Sequence, residues 1–509
     1  MKKSNRKSML MWLEKAASFL VLILPAVLFF SYYPVISFGA NETMNFELSL
    51  PMIWLVIFDV VALSAMAGRK TLFKSFKGKW VWLLFPIWLT ISVVWSKNVT
   101  RGILTVGILW LIYFAAYAMW NLRELFDAEF RRRWWRWFFG SAIVACLWCV
   151  VQCLLDTLGV AREFTLMCPG CGYQTFGFPH PNGFAAEPQF MGNLLLAPAI
   201  AIVYILITGP GNLFRSRPRP AGPSPRAAGA NSRAAALRNA ASLEYNCHPL
   251  LWILLFVVVS TLFLTLSRGA IFAFGVAIVV MTGVWLWKNL GLWKTFGLWK
   301  SVGAVWLAIV ISFLLALNVQ GVLAEASPTD DTYFSGVSKS VNQLTLGVVD
   351  LGGRNEKKKA EPEKEVKQAN FDGYVEVSTE ARMGATGTAV KAWSRDFKTA
   401  LIGTGLGSAS IVLYENGAFL TAKEIVNNEY VSLLLETGIV GIILLVYTLV
   451  LIAKALKKSE TKLMMLGLLV AYLASLAFFS GLANVMHIYL LPVIIGILTF
   501  KRLDLCGRK

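Results

Sequence analysis

The stretch PQFMGNLLLAPAIAIVYILIT, Pro188 to Thr208, decides the fold class. Almost every residue after Asn193 is apolar. The run is about as long as the roughly 20 residues that a helix needs to cross the hydrocarbon core of a bilayer. A helix is the expected form because backbone groups in lipid must be hydrogen-bonded within the segment itself. The stretch therefore predicts a membrane-spanning helix.

Composition extends this prediction to the whole chain. Of its 509 residues, 57% are hydrophobic and only 15% are charged, which is far more apolar than an ordinary soluble domain. We therefore predict an all-α polytopic membrane protein with about twelve transmembrane helices. The candidate spans are residues 16–38, 50–67, 80–95, 102–119, 137–158, 190–208, 249–266, 270–287, 301–318, 430–452, 463–479 and 487–500.

The distribution of Lys and Arg predicts the orientation of these spans. With the N-terminus inside, the inner loops and tails hold 32 of the 48 basic residues, the short outer loops hold four, and one long outer loop holds twelve. Short loops rich in Lys and Arg stay in the cytoplasm, so both termini are expected there and the protein in the cytoplasmic (inner) membrane. The net charge of +19 is then an orientation signal facing anionic lipids, and no nucleic-acid partner is expected.

Two inserts interrupt the alternation of spans and short loops, and we divide the chain into three predicted parts. The first part contains nine spans and a Pro-, Ala- and Arg-rich cytoplasmic loop whose composition predicts disorder. The second is a large extracytoplasmic loop, and the third contains the last three spans and a cytoplasmic tail. The boundaries are 1–318 with the disordered loop at 209–248, then 319–429 with a flexible part at 355–370 and a helical part at 379–408, then 430–509.

Polar residues gather at the predicted outer side, first in HPNGFAAEPQFMGN, His180 to Asn193. A proline follows Glu187 and suits the first helical turn, which makes Glu187 a candidate N-cap. The free N–H groups of such a helix start attract phosphate or carboxylate. Gln189 and Asn193 share a helix face and could bind a ligand or only bridge helices. Equally, His180 could be a catalyst or a hydrated loop residue.

A second candidate is Arg268 in LTLSRGA, Leu264 to Ala270, where an apolar helix is expected to end. A guanidinium group matches the oxygens of a pyrophosphate. It could instead neutralise the dipole at the end of the helix and reach the interface. The sequence leaves these two interpretations open.

A third group surrounds the start of the tenth span, after IGTGLGSA. GTGLG lacks the lysine and the strand context of a nucleotide-binding loop, so we interpret it as a turn. Asn427, Asn428 and Tyr430 mark the mouth of the span, and Glu436 lies about two turns further on. Glu436 could belong to a site or be the structural partner of an Arg or Asn.

The cysteines and histidines point away from metal chemistry. CPGC, Cys168 to Cys171, lies in a predicted outer loop and favours a local disulfide. A metal site would need further Cys or His ligands, and the chain has three His. No metal and no cofactor are therefore expected.

Several of these motifs together resemble the O-antigen ligase and O-antigen polymerase superfamily of bacterial envelope proteins. They are SRGA after an apolar helix, a large outer loop after the ninth span, and GTGLG followed by NNEYVSLLLETGIVG. The resemblance runs from VVWSKNVTRG to the end of the tenth span. It implies a glycosyltransferase of polysaccharide or lipopolysaccharide biosynthesis. Such an enzyme moves glycan from an undecaprenyl-pyrophosphate carrier to an acceptor hydroxyl on the outer side, without metal.

The resemblance also assigns roles. Arg268 matches the arginine of SRG and would bind pyrophosphate with Arg382, in EARMGATGTAVKAW, as a second arginine. Asn428 matches an asparagine of the family, whereas Asn427 replaces its histidine, and His180 stands where an arginine is common. We therefore predict that His180 or Glu187, with Asn428, acts on the acceptor. The sugar contacts are assigned to Gln189, Asn193, Asn427, Tyr430 and Glu436.

Two other classes remain. A lipid-linked glycan flippase or other transporter needs a polar path through the membrane, whereas the inner halves of the spans are mostly apolar and Asp59 is unexplained. A non-catalytic membrane scaffold would not explain the clustered outer groups. The expected partners are the lipid-linked glycan, an acceptor that is a lipid or a growing polymer, and membrane lipids. Ligase and polymerase stay unresolved.

Overall fold

The computed structural model is mostly helical and describes most of the chain. His180, Cys168 and Cys171 lie outside the described residues, as do the predicted segments 209–248 and 355–370. The described residues are 2–30, 34–41, 44–71, 80–158, 181–185, 187–208, 249–288, 296–326, 332–345, 349, 374–422, 424, 426–456, 461–478 and 486–498.

The described helices are numbered in chain order. Those before the predicted long loop are α1 (Lys2–Phe29), α2 (Leu50–Gly68), α3 (Leu84–Ser92), α4 (Val99–Leu122), α5 (Ala128–Thr157), α6 (Pro188–Thr208), α7 (Pro249–Leu264), α8 (Arg268–Lys288) and α9 (Phe296–Glu325). The later ones are α10 (Tyr333–Leu344), α11 (Tyr374–Trp393), α12 (Phe397–Ile402), α13 (Ala409–Glu415), α14 (Glu429–Leu456), α15 (Lys462–Ser475) and α16 (Met486–Leu498).

Among the residues that the structure describes, eight helical segments are long and apolar enough to cross a membrane, which indicates a multi-pass membrane protein. They are Lys7–Phe29, Leu50–Gly68, Val99–Leu125, Ala128–Leu155, Pro188–Thr208, Arg268–Lys288, Ser301–Glu325 and Glu429–Lys454. The other four predicted spans coincide with shorter apolar helices, Val81–Trp95, Pro249–Leu264, Lys462–Ser475 and Met486–Leu498. Twelve crossings and their orientation therefore remain predictions.

A β-hairpin corrects the boundary predicted for the first span. The span was expected to end at residue 38, but α1 ends at Phe29 and is followed by β1 (Pro34–Asn41) and β2 (Met44–Ser49), which pair antiparallel with Phe38 opposite Phe46. Proline disfavours helical backbone in the residue before it. The β-branched and aromatic residues that follow Pro34 fit a strand.

Helix α6, the stretch that opened the sequence analysis, lies at the centre of the bundle. In its apolar window 94% of the residues are buried, whereas the other seven spans have at most 44%. A helix that is apolar on every side is expected to be surrounded by other elements. Contacts with α6 come from α1, α5, α8, α9, α15 and α16.

Close packing joins the helix ends at the predicted outer end of the bundle. A methyl group added to Gly192 would lie 2.9 Å from the Cβ atoms of Ser267 and Ala270, so α6 and the turn before α8 almost touch. One added to Gly269 would lie 2.6 Å from Phe478, just after α15. The starts of α6 and α8 therefore meet the end of α15.

Candidate functional site

The turn before α6 is held by a buried glutamine of α5. The Gln152 amide nitrogen donates to Asn182 Oδ1 and to the Gly183 carbonyl, both at 2.9 Å, and its oxygen accepts the Gly183 N–H at 2.8 Å. Asn182 in turn donates to the Ala185 carbonyl at 2.8 Å. These hydrogen bonds fix where α6 begins. The sequence analysis missed Gln152, although a single amide in an apolar span was a usable signal.

At the start of α6, two predicted residues come together with a third from the long loop. Gln189 Nε2 donates to Glu187 Oε2 at 2.6 Å. Desolvation raises the pKa of the Glu187 carboxyl, while the hydrogen bond from Gln189 and the positive charge of Arg382 lower it. Arg382 belongs to α11, far away in sequence, so the fold brings the loop arginine to the α6 start. The Glu187 carbonyl accepts the first helical N–H, from Phe190, at 3.0 Å.

Arg268 lies at the beginning of a helix rather than at the end of one. Helix α7 ends at Leu264, and α8 begins at Arg268, with the Ile271 N–H donating to the Ser267 carbonyl at 2.9 Å. Because a helix start attracts anions, this position favours the anion-binding interpretation of Arg268 over neutralisation of a C-terminal dipole. The turn depends on Leu266, whose φ of 50° is unusual for a residue with a side chain.

Asn193 is a buried residue with an unused acceptor. Only 2% of it is exposed, and its Oδ1 receives no hydrogen bond from any residue that the structure describes. Leaving a buried acceptor unpaired costs about 1–3 kcal/mol. Asn193 follows Gly192, which contacts the turn carrying Arg268. The buried oxygen is not exposed to a ligand in the structure, and the sugar contact assigned to Asn193 stays a prediction.

Asn428 and Tyr430 have structural partners at the start of α14. Asn428 Oδ1 accepts the Val431 N–H at 3.2 Å and so caps the helix, and the Tyr430 hydroxyl donates to the Leu473 carbonyl at 2.6 Å. The neighbouring Glu429 N–H donates to the Leu476 carbonyl at 2.9 Å. These bonds fasten α14 to α15. Asn427, just before them, is half-buried.

Glu436 belongs to a second cluster that the sequence analysis did not predict. Its Oε1 accepts the Ala409 N–H at 3.0 Å, the Gly407 N–H also bonds to it, and the charge of Arg101 acts on it. Arg101 donates to Ser410 Oγ at 2.7 Å. The carboxylate thus joins α14 to the start of α13, which agrees with a structural role beside an arginine.

The GTGLG segment is a turn that joins the long loop to the bundle by close backbone packing and a hydrogen bond. Gly405 has a φ of 95°, and a methyl group added there would lie 2.4 Å from Ser96 Cα. The Gly405 N–H also donates to the Glu436 carbonyl at 2.8 Å. Gly438 interrupts α14 with a φ of 66°, and a methyl group there would meet the Leu401 carbonyl oxygen at 2.3 Å. Only glycine fits both positions.

Comparisons with family models, with curated proteins and with solved structures found no match for this chain. At the α6 start the structure brings together Glu187, Gln189 and Arg382. Arg268 is next to them in the fold, because Gly192 of α6 packs against Ser267 and Ala270. Glu436 instead contacts the glycine turn. A carboxyl group, cationic groups and two helix starts can together hold an anion and accept a proton.

Proposed function

We propose that the protein transfers a glycan from an undecaprenyl-pyrophosphate carrier to an acceptor hydroxyl at the predicted outer end of the bundle. The observation that carries the proposal is the electrostatic interaction of Arg382 with Glu187 at the start of α6. A departing pyrophosphate needs fixed cations and N–H donors, and the acceptor needs a base. The α6 start combines these groups on a membrane-embedded scaffold.

The proposed reaction is a single displacement at the anomeric carbon. The acceptor oxygen forms a bond to that carbon, the bond from carbon to the pyrophosphate oxygen breaks, and the electron pair leaves with the pyrophosphate. The acceptor proton passes to the Glu187 carboxylate. Desolvation raises the pKa of this carboxyl, which makes it a stronger base than an ordinary glutamate. The guanidinium groups of Arg382 and Arg268 hold the pyrophosphate.

The test is reconstitution of the purified protein with a lipid-linked oligosaccharide and candidate acceptors, followed by a gel of the products. We expect Glu187→Gln to lower the rate at least about 100-fold, since general base catalysis contributes 10²–10⁴. We expect a loss of similar size in Arg382→Ala, since one group that stabilises developing charge contributes about 10²–10³. Lys391→Ala, an exposed change on the same helix, is the matched control. Unchanged activity in Arg382→Ala contradicts the proposal. A product ladder identifies a polymerase, and one shifted band identifies a ligase.

One observation favours a transporter as the second candidate. Asp59 in α2 is 3% exposed, and neither carboxylate oxygen has a hydrogen-bond partner among the described residues. Ionisable groups buried in a span commonly mark ion or proton pathways. If proteoliposomes move lipid-linked glycan across the bilayer without forming product, and Asp59→Asn stops this movement, the transporter replaces the transferase.

A further inference from the structure

A groove between α1 and α5 forms a cavity whose lining includes none of the residues assigned to glycan transfer. Its volume is about 430 Å³, within the range of about 300–1,000 Å³ that is usual for small-molecule sites. Phe29 and Phe30 line one wall, Gly140 and Val144 of α5 line the other, and Arg136 supplies a positive charge. The cavity is therefore mainly apolar with one charged group.

The shape of the groove suits a single alkyl chain. At one end the ring of Phe30 stacks on Phe184 at 4.3 Å, and Phe184 stacks on Trp148 at 5.5 Å, which makes a continuous aromatic wall. Along α5, a methyl group added to Gly140 would meet no atom within 4 Å, so this glycine leaves open space. A larger side chain at position 140 would occupy this space in the groove.

Among the described residues, no carboxylate forms an ion pair with the charge in the groove. Arg136 is exposed and lies eight residues after Ala128, roughly 12 Å along the helix. Within the part of the chain that the structure describes, the ion pairs are Arg69–Glu14, Lys97–Glu415 and Arg133–Glu129, so no carboxylate pairs with Arg136. An exposed basic side chain near the predicted cytoplasmic end of a span attracts anionic headgroups.

We propose that this groove binds one anionic phospholipid, with its phosphate at Arg136 and one acyl chain lying along Gly140 and Val144 toward Phe30. Charge complementarity selects this occupant, because the groove offers a guanidinium group at one point and apolar walls elsewhere. Basic pockets between helices on the cytoplasmic side recognise anionic headgroups, and Arg136 starts a span at its predicted cytoplasmic end. The site is independent of the proposed glycan transfer.

The experiment measures lipid bound to the full-length protein by native mass spectrometry. Delipidated protein is titrated with dioleoylphosphatidylglycerol, which is anionic, or with dioleoylphosphatidylcholine, which is zwitterionic. We expect one phosphatidylglycerol per protein and weaker phosphatidylcholine binding. Arg136→Gln is expected to bind phosphatidylglycerol about fivefold more weakly, since one basic residue near a lipid surface contributes about 1 kcal/mol.

Matched variants separate the groove from general basic charge. Arg133→Gln removes a charge from the same helix, but that arginine pairs with Glu129, and binding is expected to stay unchanged. Gly140→Phe fills the groove and is expected to abolish binding with Arg136 intact, whereas Arg136→Lys is expected to retain it. Size-exclusion profiles identify folded variants, and if Arg136→Gln fails to fold, the Gly140→Phe and Arg136→Lys pair decides.

Three results overturn the proposal. The first is equal binding of the two phospholipids. The second is equal loss in Arg136→Gln and Arg133→Gln, or full binding by Gly140→Phe. The third is displacement of phosphatidylglycerol by an equal concentration of undecaprenyl phosphate, which would assign the groove to the carrier lipid instead.

Discussion

Replacing Gln152 by leucine is the sharpest test of how α6 is positioned. The substitution keeps the volume of a buried side chain but removes three hydrogen bonds to Asn182 and Gly183, at 2.9, 2.9 and 2.8 Å. Each such bond contributes about 1 kcal/mol. The remaining polar atoms are buried and have no new partner. We therefore expect the free energy of unfolding to fall by about 3 kcal/mol, a large part of the usual 5–15 kcal/mol.

The assay is unfolding of the purified protein in mild detergent, read by loss of helical circular dichroism against denaturant concentration. The control is Thr157→Val, which removes one hydrogen bond, to the Cys153 carbonyl, near the end of the same helix. Asn182→Ala and the double variant complete a cycle, and because the two side chains form one network their effects should be less than additive. Equal stability of Gln152→Leu and Thr157→Val would refute the reasoning.

Three further predictions concern the long loop and the α6 start. Gly405→Ala places a methyl group 2.4 Å from Ser96 Cα at a φ of 95°, so we expect faster proteolysis of the loop helices, visible on a gel. Desolvation raises the pKa of Glu187 from 4.5, so its ionisation lowers the stability of the folded protein as pH rises above that value. Glu187→Gln should therefore reduce the dependence of the unfolding free energy on pH above 4.5. The hydrogen bond from the Thr399 N–H lowers the pKa of Asp396, so this group stabilises the folded protein at neutral pH and loses that effect as pH falls. Asp396→Ala should remove this acid-dependent loss of stability in the same unfolding assay.

Apolar periodicity predicted the helices well because lipid allows few alternatives for the backbone. It failed where single residues redirect the chain. Pro34 begins a strand inside the predicted first span, and Gly438 interrupts α14 within an otherwise helical sequence. Arg268 was expected where an apolar helix ends, whereas it begins α8, and the turn between α7 and α8 contains Leu266 at a φ of 50°. Leucine has no intrinsic preference for this left-handed backbone conformation, so the sequence did not predict the turn.

Polar side chains could be found in the sequence, but their partners could not. Glu187 was predicted from its own segment and Arg382 from the family resemblance, whereas their electrostatic interaction depends on how the long loop folds back. Gln152 and Arg101 were missed because each is a single polar residue whose role appears only when a distant partner is known. Gln152 bonds to a turn about 30 residues later, and Arg101 bonds to Ser410.

The two clusters at the predicted outer end are connected through the loop helices. Glu436 binds the backbone at the start of α13, and α13 packs on α11 and α14 through Ala389, Val412 and Leu435. Helix α11 carries Arg382, whose charge reaches Glu187 at the start of α6. The Glu436 carboxylate and the glycine turn therefore hold the helix that presents Arg382. A change at the buried Glu436 can therefore alter the position of Arg382 without any contact between Glu436 and Glu187.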